Sequence, residues 1–501
     1  MSQINVNNLT FGYEGSFENV FENASFSIDT DWKIGFIGRN GKGKTTFLRL
    51  LLGDYEYGGS ISSNVNFDYF PYAYDPEADT AAADMLDVWK AEAEFWRVTA
   101  ELDKIGLEAD ILYRPFSSLS FGEKTKVMLA VLFAGENDFL LIDEPTNHLD
   151  AGSRETVKEY LGSKKGFILV SHDADILDAV TDHVLVLNRS SIEVASGNFS
   201  TWWENKEKAD EFARRQNEKH AREIGRLKGA IDKSSRWAEK NENTKIGYDP
   251  IKEHDRTKNA RSYIGAKTKK MQARVQNYKG RMERHIEEKE GLMNDVERVF
   301  DLKLTPLVFF RDRLVNIRNF SCRYRGADRF VIRDLTFELK QGERVFINGR
   351  NGCGKSTLIK LITGGEIDVE TEGVFETAGN MIISYVSQDT TRLSGSLRDF
   401  AFGRGLDYTR LLAILNRMDF DKYMYDKDIS DYSEGQKKKL LISASLMTPA
   451  HLYVWDEPLN YIDVFSRKQI EKLIWEFEPT MLVVEHDRRF REKIATRVLD
   501  L

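Results

Sequence analysis

Short apolar runs, separated by polar and glycine-rich segments, recur along the chain and predict buried strands. The runs occupy residues 34–37, 139–142, 167–170, 344–347, 452–455 and 481–484. Continuous apolar segments of this length are typical of strands covered on both faces of a parallel sheet. Two of the runs lead into a glycine-rich loop, after which helices are predicted at Lys44–Leu52 and Lys355–Thr363. This order of strand, loop and helix predicts an α/β nucleotide-binding fold.

The pattern changes between residues 205 and 300, where long charged helices are predicted. A first helix starts after Trp203 and ends near Trp237. A second carries one apolar stripe with spacings of 4, 3, 4 and 4, formed by Met271, Val275, Tyr278, Met282 and Ile286. Facing stripes favour an antiparallel α-helical hairpin. Its tip is predicted at residues 241–263, which contain glycine and proline and lack apolar periodicity.

An internal repeat divides the chain. The pattern G-x-x-x-x-G-K-[ST] occurs at residues 38–45 and 349–356, with its lysines 311 residues apart. Further pairs are separated by 311 to 314 residues: Tyr13 and Tyr324, Ser120 and Ser433, Asp143 and Asp456, His172 and His486. A recurring separation indicates a duplicated domain. We predict tandem phosphate-loop domains at residues 1–204 and 301–501, joined by a helical hairpin linker at residues 205–300.

Charge is distributed unevenly along the chain. The net charge is −8, but residues 205–300 hold 25 Lys and Arg against 17 Asp and Glu, a net of +8, which leaves −16 elsewhere. A basic linker with interleaved aromatic residues predicts contact with RNA. No apolar run approaches the roughly 20 residues of a membrane span, so no membrane partner is expected. The N-terminus has no signal-peptide pattern and Cys322 and Cys353 lack metal-ligand spacing, which together predict a cytoplasmic protein.

The two glycine-rich loops are predicted to hold the phosphates of ATP. Glycines let backbone N–H groups turn toward phosphate oxygens, and the following helix presents its positive end. Lys44 and Lys355 are expected to neutralise the β- and γ-phosphates, while Thr45 and Ser356 bind Mg²⁺. The predicted nucleotide contacts of the loops are Gly38, Arg39, Asn40, Gly41, Lys42, Gly43, Lys44, Thr45 and Thr46, and Gly349, Arg350, Asn351, Gly352, Cys353, Gly354, Lys355, Ser356 and Thr357.

Acidic residues at the ends of two predicted strands complete each site. A carboxylate that ends an apolar strand is costly unless it meets a cation, so Asp143 and Asp456 are predicted to hold Mg²⁺ through water. Glu144 and Glu457 follow directly and are placed to orient and polarise the attacking water. Two histidines follow further strands at matching offsets, and His172 and His486 are predicted to sense the γ-phosphate.

A further repeated element identifies the family. The segments Leu119-Ser-Phe-Gly-Glu-Lys124 and Tyr432-Ser-Glu-Gly-Gln-Lys437 each precede a predicted helix, and with the elements above they closely resemble the ATP-binding cassette signature. The resemblance implies cassettes facing head to tail, so that each ATP is enclosed by the phosphate loop of one copy and the signature of the other. The residues so implied are Ser120, Gly122 and Glu123 opposite Lys355, Ser433, Gly435 and Gln436 opposite Lys44, Tyr13 and Tyr324 at adenine, and Gln388 at ATP and Mg²⁺.

The arrangement of the cassettes narrows the family. Two fused cassettes, a linker of about a hundred residues and Glu144-Pro-Thr-Asn-His-Leu-Asp150 look like the ABC-F family of ribosome-binding translation ATPases. That resemblance implies a monomer with intramolecular cassette pairing, and a ribosome partner, bound through the linker to rRNA and P-site tRNA. A DNA partner is not expected, because neither a very long coiled coil nor zinc ligands are present.

Details of the second cassette resemble the antibiotic-resistance branch of that family, especially the Lsa-type proteins. They are Trp455 and Glu457-Pro-Leu-Asn-Tyr-Ile-Asp463. Membership would imply a linker tip near the peptidyl-transferase centre that displaces lincosamides, pleuromutilins and streptogramin A drugs. Two alternatives stay open, a housekeeping translation factor of the same family and a soluble ATPase subunit of a membrane transporter.

Two departures from the family pattern concern the ATP sites. The position of Gln388 corresponds to Tyr72 in the first copy, and Phe121 stands where glycine is usual. Because the implied sites are composite, Tyr72 would alter the site built on Lys44, and Phe121 the site built on Lys355. Unequal turnover at the two sites is therefore predicted.

Overall fold

The computed structural model describes most of both cassettes and part of the linker. The described residues are 2–14, 19–39, 41–75, 80–90, 93–135, 138–147, 149–188, 192–243, 273, 275–282, 284–285, 303–350, 352–418 and 420–501. By their contacts, residues 1–202 and 299–501 form one compact unit, which holds both cassettes, and residues 203–298 form a second.

The first cassette begins with antiparallel strands and continues as alternating strands and helices. Its strands are β1 Gln3–Phe11, β2 Phe21–Asp29, β3 Lys33–Gly38, β4 Gly58–Ser62, β5 Asn66–Phe70, β6 Asp138–Asp143, β7 Phe167–Val170, β8 His183–Leu187 and β9 Ile192–Ser196. Its helices are α1 Lys44–Leu52, α2 Ala82–Trp89, α3 Phe95–Lys104, α4 Phe121–Leu132, α5 Ala151–Gly162 and α6 Ala174–Val180. Short 3₁₀ turns cover Ala109–Tyr113 and Phe116–Ser118.

The second cassette repeats this order of elements. Its strands are β10 Arg313–Tyr324, β11 Ile332–Lys340, β12 Arg344–Asn348, β13 Val369–Thr377, β14 Ile383–Val386, β15 Leu452–Asp456, β16 Met481–Val484 and β17 Arg497–Asp500. With α7 kept for the linker, its helices are α8 Lys355–Thr363, α9 Leu397–Gly403, α10 Tyr408–Arg417, α11 Glu434–Met447, α12 Val464–Phe477 and α13 Arg488–Ile494. Short 3₁₀ turns cover Lys422–Asp426 and Ile429–Asp431, at the place of the two in the first cassette.

Each cassette has a mainly parallel sheet beside a three-stranded antiparallel one. The parallel sheets have the strand orders β5-β6-β7-β3-β8-β9, in which β9 runs antiparallel, and β14-β15-β16-β12-β17. The antiparallel sheets are β2-β1-β4 and β11-β10-β13. The central strands are apolar because both of their faces are covered. In the second cassette, α11, α12 and α13 pack on one face, and α8 packs with the antiparallel sheet on the other; α1 and the antiparallel sheet of the first cassette share one cluster in the same way. Crossovers of this type bring the phosphate loop and the acidic strand ends to one edge.

The linker is helical where it is described. Helix α7 spans Phe199–Asn243, so it begins before Trp203 and continues past the predicted end near Trp237. Residues 275–282 are also helical and include Val275, Tyr278 and Met282 of the predicted second stripe. Met271, Ile286 and residues 244–263 of the predicted tip lie outside the described residues. None of the described helices combines the length and the apolar character that a membrane crossing requires.

Candidate nucleotide-binding sites

Both phosphate loops turn into their helices through a glycine that no larger residue could replace. Gly43 has φ 106° directly before α1, and Gly354 has φ 105° directly before α8. A Cβ atom on Gly43 would lie 2.4 Å from Cγ1 of Val20, and one on Gly354 would lie 2.8 Å from Cγ1 of Ile332. The left-handed backbone and the close packing therefore both require glycine. The loops can thus bring backbone N–H groups close to a phosphate.

The lysines of the two loops hold their own loop in the same way. Lys44 Nζ donates to the carbonyl oxygens of Gly38 at 2.8 Å and of Arg39 at 3.3 Å. Lys355 Nζ donates to those of Gly349 at 2.8 Å and of Arg350 at 3.1 Å. Burial lowers the pKa of Lys44, and the nearby carboxylate of Glu144 opposes that shift. Each amine therefore lies against the loop at which phosphates are predicted to bind.

The residues predicted to bind Mg²⁺ in the first cassette are in contact. Thr45 Oγ1 donates to Oδ2 of Asp143 at 2.7 Å, so an α1 hydroxyl and the carboxylate that ends β6 converge. Burial raises the pKa of Asp143, which Thr45 partly offsets. Hydroxyl and carboxylate oxygens are ligands that Mg²⁺ prefers, so this pair fits the predicted cation. In the second cassette burial, with Glu457 beside it, raises the pKa of Asp456 to about 6.

Tyr69 is a first-cassette residue that the sequence did not single out. Its hydroxyl donates to Oδ2 of Asp143 at 3.2 Å. The pairing of β5 with β6 places Tyr69 beside the strand end that carries Asp143. Tyr72, which does occupy the position equivalent to Gln388, instead donates to Asp68 at 2.7 Å. Tyr72 thus bonds to Asp68, whereas Tyr69 supplies the hydroxyl donor to Asp143.

The two glutamates predicted to orient water have an unusual backbone. Glu144 has φ 52° and Glu457 has φ 46°, in the left-handed region that non-glycine residues seldom adopt. The backbone N–H of each is bonded to the end of the neighbouring strand, to the carbonyl oxygen of Val170 or Val484 at 2.9 Å. Strain of this kind persists where the surrounding structure imposes it, and it is concentrated at functional sites. The same conformation in both copies supports an equivalent role.

In the first cassette, Glu144 faces His172 in a buried setting. His172 Nε2 lies 3.2 Å from Oε1 of Glu144, and the His172 backbone N–H donates to Oε2 at 3.3 Å. Burial, reinforced by the charge of Asp143, raises the pKa of Glu144 to about 8. Burial also lowers the pKa of His172, with Lys44 and Arg467 adding to the shift. Burial thus opposes charge on both side chains of this pair.

In the second cassette, two side-chain amides orient the glutamate. Gln388 Nε2 donates to Oε2 of Glu457 at 2.9 Å, and Asn460 Nδ2 donates to the same oxygen at 2.7 Å. Although burial opposes it, the neighbouring His486 and Lys438 hold the pKa of Glu457 below its usual value. His486 Nε2 lies 3.7 Å from Glu457 Oε1 and, within the described part of the chain, this buried nitrogen has no hydrogen-bond partner. A buried donor left open in this way fits a site that receives a phosphate or a water.

A cavity of about 690 Å³ joins the two cassettes at the second phosphate loop. Lys355, Ser356, Gln388, Glu457 and His486 line it from the second cassette. The first cassette contributes Phe121, Leu149 and Arg154. Its volume is ordinary for a ligand site, where values of roughly 300–1,000 Å³ are common. Of the signature segment, Phe121 lines this cavity with Lys355, whereas the predicted contacts Ser120, Gly122 and Glu123 are not among the lining residues.

The second cassette also approaches the first phosphate loop, through Asp421 and Phe465. Lys42 Nζ lies 3.8 Å from Oδ1 of Asp421, and the Arg39 guanidinium lies 5.8 Å from the ring centre of Phe465. Arg467, beside Phe465 in α12, is also close enough to act on the pKa values of Glu144 and His172. Both phosphate loops therefore face residues of the opposite cassette.

The signature residues form the N-terminal caps of α4 and α11. The Ser120 hydroxyl accepts from the N–H of Glu123 at 3.3 Å, and the Glu123 carboxylate accepts from the N–H of Ser120 at 2.7 Å. Ser433 and Gln436 form the same pair of bonds at 3.3 and 2.9 Å. These capping boxes satisfy N–H groups that the helices cannot. A Cβ on Gly122 would lie 2.9 Å from Oγ of Ser153, which explains the small residue there.

The tyrosines implied at adenine occupy matching positions beside the loops. Tyr13 shares a hydrogen bond of 2.7 Å with Thr46, and Tyr324 shares one of 2.9 Å with Thr357. Both rings remain about two-fifths exposed, at 45% and 42%, and so present a face on which a base could stack. Tyr324 also lines the cavity.

The remaining predicted contacts divide into described and undescribed residues. Gly41, Gly352 and Cys353 lie on the loops, and the Cys353 N–H donates to the carbonyl oxygen of Arg350 at 3.2 Å. Asn40 and Asn351 lie outside the described residues. Site residues that the sequence did not indicate are Tyr69, Asn460, Arg154 and Arg467. Asn460 could have been found by its place in the matched run after Glu457, whereas the arginines act across the cassettes and leave no local signal.

Comparison with known proteins agrees with this geometry. The profile of the family described as "ABC transporter" matches residues 21–147 and 332–460, about half of the chain. "Ribosome protection protein VmlR" of Bacillus subtilis is 27% identical over 496 residues, which cover 97% of this chain and 85% of that protein. "Energy-dependent translational throttle protein EttA" of Escherichia coli K12 is 26% identical over 534 residues, which cover 96% and 89%.

Solved structures show the same fold at lower identity. Archaeal ribosome recycling factor aABCE1, solved with the ribosomal stalk protein aP1, aligns with a TM-score of 0.61 at 19% identity, covering 98% of this chain and 87% of that one. Such a likeness establishes the architecture of paired cassettes alone. Proteins with these cassettes hydrolyse ATP with Mg²⁺. At 25% identity over 558 residues, which cover 100% of this chain and 75% of that protein, the chain is also similar to "ABC transporter F family member 5" of Arabidopsis thaliana. The chain therefore belongs to the ABC transporter family, and it is an ATP hydrolase.

Proposed function

We propose that this protein binds the ribosome in its ATP-bound state and protects the peptidyl-transferase centre from antibiotics. The observation that carries the proposal is the composite cavity, in which Phe121, Leu149 and Arg154 of one cassette face Lys355 of the other. A nucleotide held there touches both cassettes at once, so binding favours their pairing and hydrolysis releases it. The relatives named for ribosome protection and for translational throttling support the ribosome as the object of this cycle.

The proposed hydrolysis assigns one task to each group. When bound, Mg²⁺ would offset the negative charge of the phosphates. Thr45 with Asp143, and Ser356 with Asp456, hold the cation, while Lys44 and Lys355 turn from loop carbonyls to the phosphates. Glu144 and Glu457 orient the attacking water. In the second site, Gln388 and Asn460 fix the carboxylate of Glu457 through two N–H donors, which makes that site the better prepared one.

The linker supplies the proposed contact with RNA. Its net charge of +8 in a protein of net charge −8 suits a polyanion. Much of the described first helix is exposed and carries alternating charges, with pairs such as Arg215 and Glu211 at 2.5 Å. The following tip, residues 241–263, is proposed to reach rRNA and P-site tRNA. Each phosphate contact adds about one unit to the salt dependence of binding, near −0.7 to −0.9 per contact.

Within the proposed function, we assign the protein to antibiotic resistance of the Lsa type. The similarity to VmlR over 97% of the chain supports a protection role. Displacement of lincosamides, pleuromutilins and streptogramin A drugs follows from the resemblance of residues 455–463 to that branch. The protein is proposed to act as a cytoplasmic monomer, because both halves of each composite site lie on one chain.

A trapping experiment tests ribosome binding. Glu144→Gln/Glu457→Gln retains ATP without rapid hydrolysis and should co-sediment with ribosomes in ATP but not in its absence. The control Lys44→Ala/Lys355→Ala has no amine for the phosphates and should stay in the supernatant under both conditions. Sedimentation of the trapped variant that does not depend on ATP would refute the proposal.

A second experiment separates protection from a housekeeping role, for which the similarity to EttA is the supporting observation. Expression in a drug-sensitive host should raise the inhibitory concentrations of lincosamides, pleuromutilins and streptogramin A compounds several-fold. The doubly substituted Glu144→Gln/Glu457→Gln protein should not do so, because it cannot leave the ribosome. ATP-dependent ribosome binding without any change in inhibitory concentration would favour the housekeeping factor.

A further inference from the structure

The helices that follow the two histidines meet at equivalent residues. Asp175 in α6 and Arg489 in α13 each lie three residues after their histidine, so they occupy the same position in the repeat. Arg489 Nε lies 3.4 Å from Oδ1 of Asp175. Equivalent residues of two related copies come into contact near the axis that relates the copies. If both residues carried the same charge, they would repel each other there. The opposite charges of this pair make the contact attractive.

The linker helix α7 begins at this contact. Asn198 Oδ1 accepts from the N–H of Thr201 at 3.1 Å, as a local cap does. The N–H group one residue earlier, that of Ser200, donates to Oδ1 of Asp178 at 2.6 Å. The Ser200 hydroxyl donates to Oδ2 of the same carboxylate. Helix α6 thus supplies a second cap to α7, for an N–H group that the helix itself cannot satisfy.

Arg489 of the second cassette completes the cap. Its guanidinium donates to Oδ2 of Asp178, and to Oγ of Ser200 at 3.2 Å. The Asp178 side chain is only 7% exposed, so its charge depends on protein partners. One arginine therefore binds α6 of the first cassette and the first turn of α7 together.

A second contact joins the same turn to the first phosphate loop. The Trp202 ring packs edge-on against Phe465 in the first turn of α12, with ring centres 6.1 Å apart and planes at 89°. Phe465 also contacts the first phosphate loop, because the Arg39 guanidinium lies over the Phe465 ring, 5.8 Å from the ring centre. The start of α7 is thus in contact with the second cassette at both Ser200 and Trp202.

We propose that Arg489 is a positioning residue that couples pairing of the cassettes to the order of the first turn of α7. When the cassettes pair, Arg489 reaches Asp178 and stabilises the cap on Ser200. When they separate, Asp178 loses its ion pair with Arg489, and the first turn of α7 loses its contacts with the second cassette. In the described part of the chain, Arg489 bonds to Asp175, Asp178 and Ser200, so it acts on the linker and leaves phosphate chemistry to the residues described above.

Hydrogen exchange in the isolated protein tests this coupling. In the full-length Glu144→Gln/Glu457→Gln protein, ATP should slow exchange of the amides at residues 199–202. Adding Arg489→Ala should raise their exchange in ATP about tenfold, which corresponds to about 1.4 kcal/mol. Arg489→Lys should give an intermediate rate, because lysine keeps the charge but lacks the fork of donors. Peptides from β3 and β12 should be unchanged, which separates coupling from unfolding.

The neighbouring arginine provides a matched control. Arg488 pairs with Glu492 of its own helix at 2.7 Å and is 65% exposed, so Arg488→Ala should leave exchange at residues 199–202 unchanged. Asp178→Asn, which keeps an oxygen for Ser200 but removes the charge, should reproduce Arg489→Ala. Equal protection in Arg489→Ala and its parent, or protection that does not depend on ATP in the parent, would overturn the inference.

The effect on the ribosome forms a separate arm that rests on the proposed function. With both glutamates present, Arg489→Ala should keep its phosphate release within about twofold. In the trapped background it should lose most ATP-dependent co-sedimentation. Since the exchange measurement contains no ribosomes, failure of the ribosome arm in the parent itself would refute the proposed function and leave the coupling standing.

Discussion

A buried ion pair in the second cassette gives a test of its stability. Lys439 Nζ lies 3.0 Å from Oδ2 of Asp463, and the two side chains are 3% and 0% exposed. The amine also donates to the carbonyl oxygen of Met418 at 2.9 Å. Lys439→Met keeps the length of the side chain and removes the charge. Asp463 is then left buried with only the two donors of Ser466, at 2.9 and 3.0 Å.

The expected loss follows from the cost of a stranded charge. Breaking a buried pair by removing one partner costs about 3–5 kcal/mol. The donors of Ser466 remain, so we expect the lower end, about 3 kcal/mol. At roughly 2–4 °C per kcal/mol for a domain of this size, the unfolding temperature of the second cassette should fall by about 6–12 °C. Differential scanning calorimetry of the nucleotide-free protein measures it, since bound nucleotide would add stability of its own.

The loss should also depend on pH. Although burial opposes it, Lys439 and Ser466 hold the pKa of Asp463 well below its ordinary value. A depressed pKa contributes stability that is present above the unfolded value of about 3.9 and is lost as pH falls through the folded one. In Lys439→Met, the charge that lowers the pKa of Asp463 is gone, so burial should raise this pKa above its unfolded value. The folded variant then binds a proton more tightly than the unfolded chain does, so lowering the pH stabilises it. The difference between parent and variant should therefore be larger at pH 7.5 than at pH 5.5.

The repeat supplies a control for this test. Lys126 is the equivalent of Lys439, but it is only half-buried, so Lys126→Met should change the free energy of unfolding by no more than about 0.5 kcal/mol. In the Lys439→Met background, Asp463→Asn should recover part of the loss, because asparagine still caps α12 without a charge. Equal losses in the two lysine variants, or no recovery by Asp463→Asn, would refute the reasoning.

Three further outcomes are expected. Glu457→Gln should lower phosphate release at least tenfold, and Glu144→Gln should lower it less than twofold. The reason is that Glu457 accepts from two amide donors and has a lowered pKa, whereas the pKa of Glu144 is raised. Comparable rates in the two variants would contradict this. Gly43→Ala should abolish ATP binding, whereas Gly53→Ala, with φ 83° and nothing within 4 Å of its Cβ, should cost only about 1 kcal/mol of stability and keep binding. Tyr69→Phe should lower the Mg²⁺ concentration for half-maximal ATPase about fivefold, because Asp143 loses a competing donor; an unchanged Mg²⁺ dependence would count against it.

Local sequence signals were sufficient for the elements that carry the phosphate loops. The predicted helices Lys44–Leu52 and Lys355–Thr363 have those bounds in the structure. The strand before the first extends one residue further at each end than predicted, and the strand before the second one residue further at its C-terminal end. Glycine and the apolar runs act over a few residues, so their consequences are readable without tertiary contacts. The repeat then placed Asp143 and Asp456 at matching strand ends.

Contacts between distant segments could not be read in this way. Tyr69 reaches Asp143 because β5 pairs with β6, and nothing in residues 66–70 alone indicates that neighbour. Helix α7 begins at Phe199 rather than after Trp203. Asn198 caps it locally, and Asp178 and Arg489 add bonds to Ser200 that the sequence around the helix start does not indicate.

The sequence by itself determined the duplicated cassettes, the chemistry of their loops and the basic charge of the linker, since these depend on residue type and spacing. The sequence also indicated that Gln388 has Tyr72 as its counterpart, but only the tertiary structure showed which groups contact the glutamates: Gln388 and Asn460 donate to Glu457, and the His172 backbone donates to Glu144. It also decided which residues of one cassette reach the other. Apart from the local bond of Asn460, these contacts join residues tens to hundreds of positions apart, and their geometry is set by packing rather than by composition.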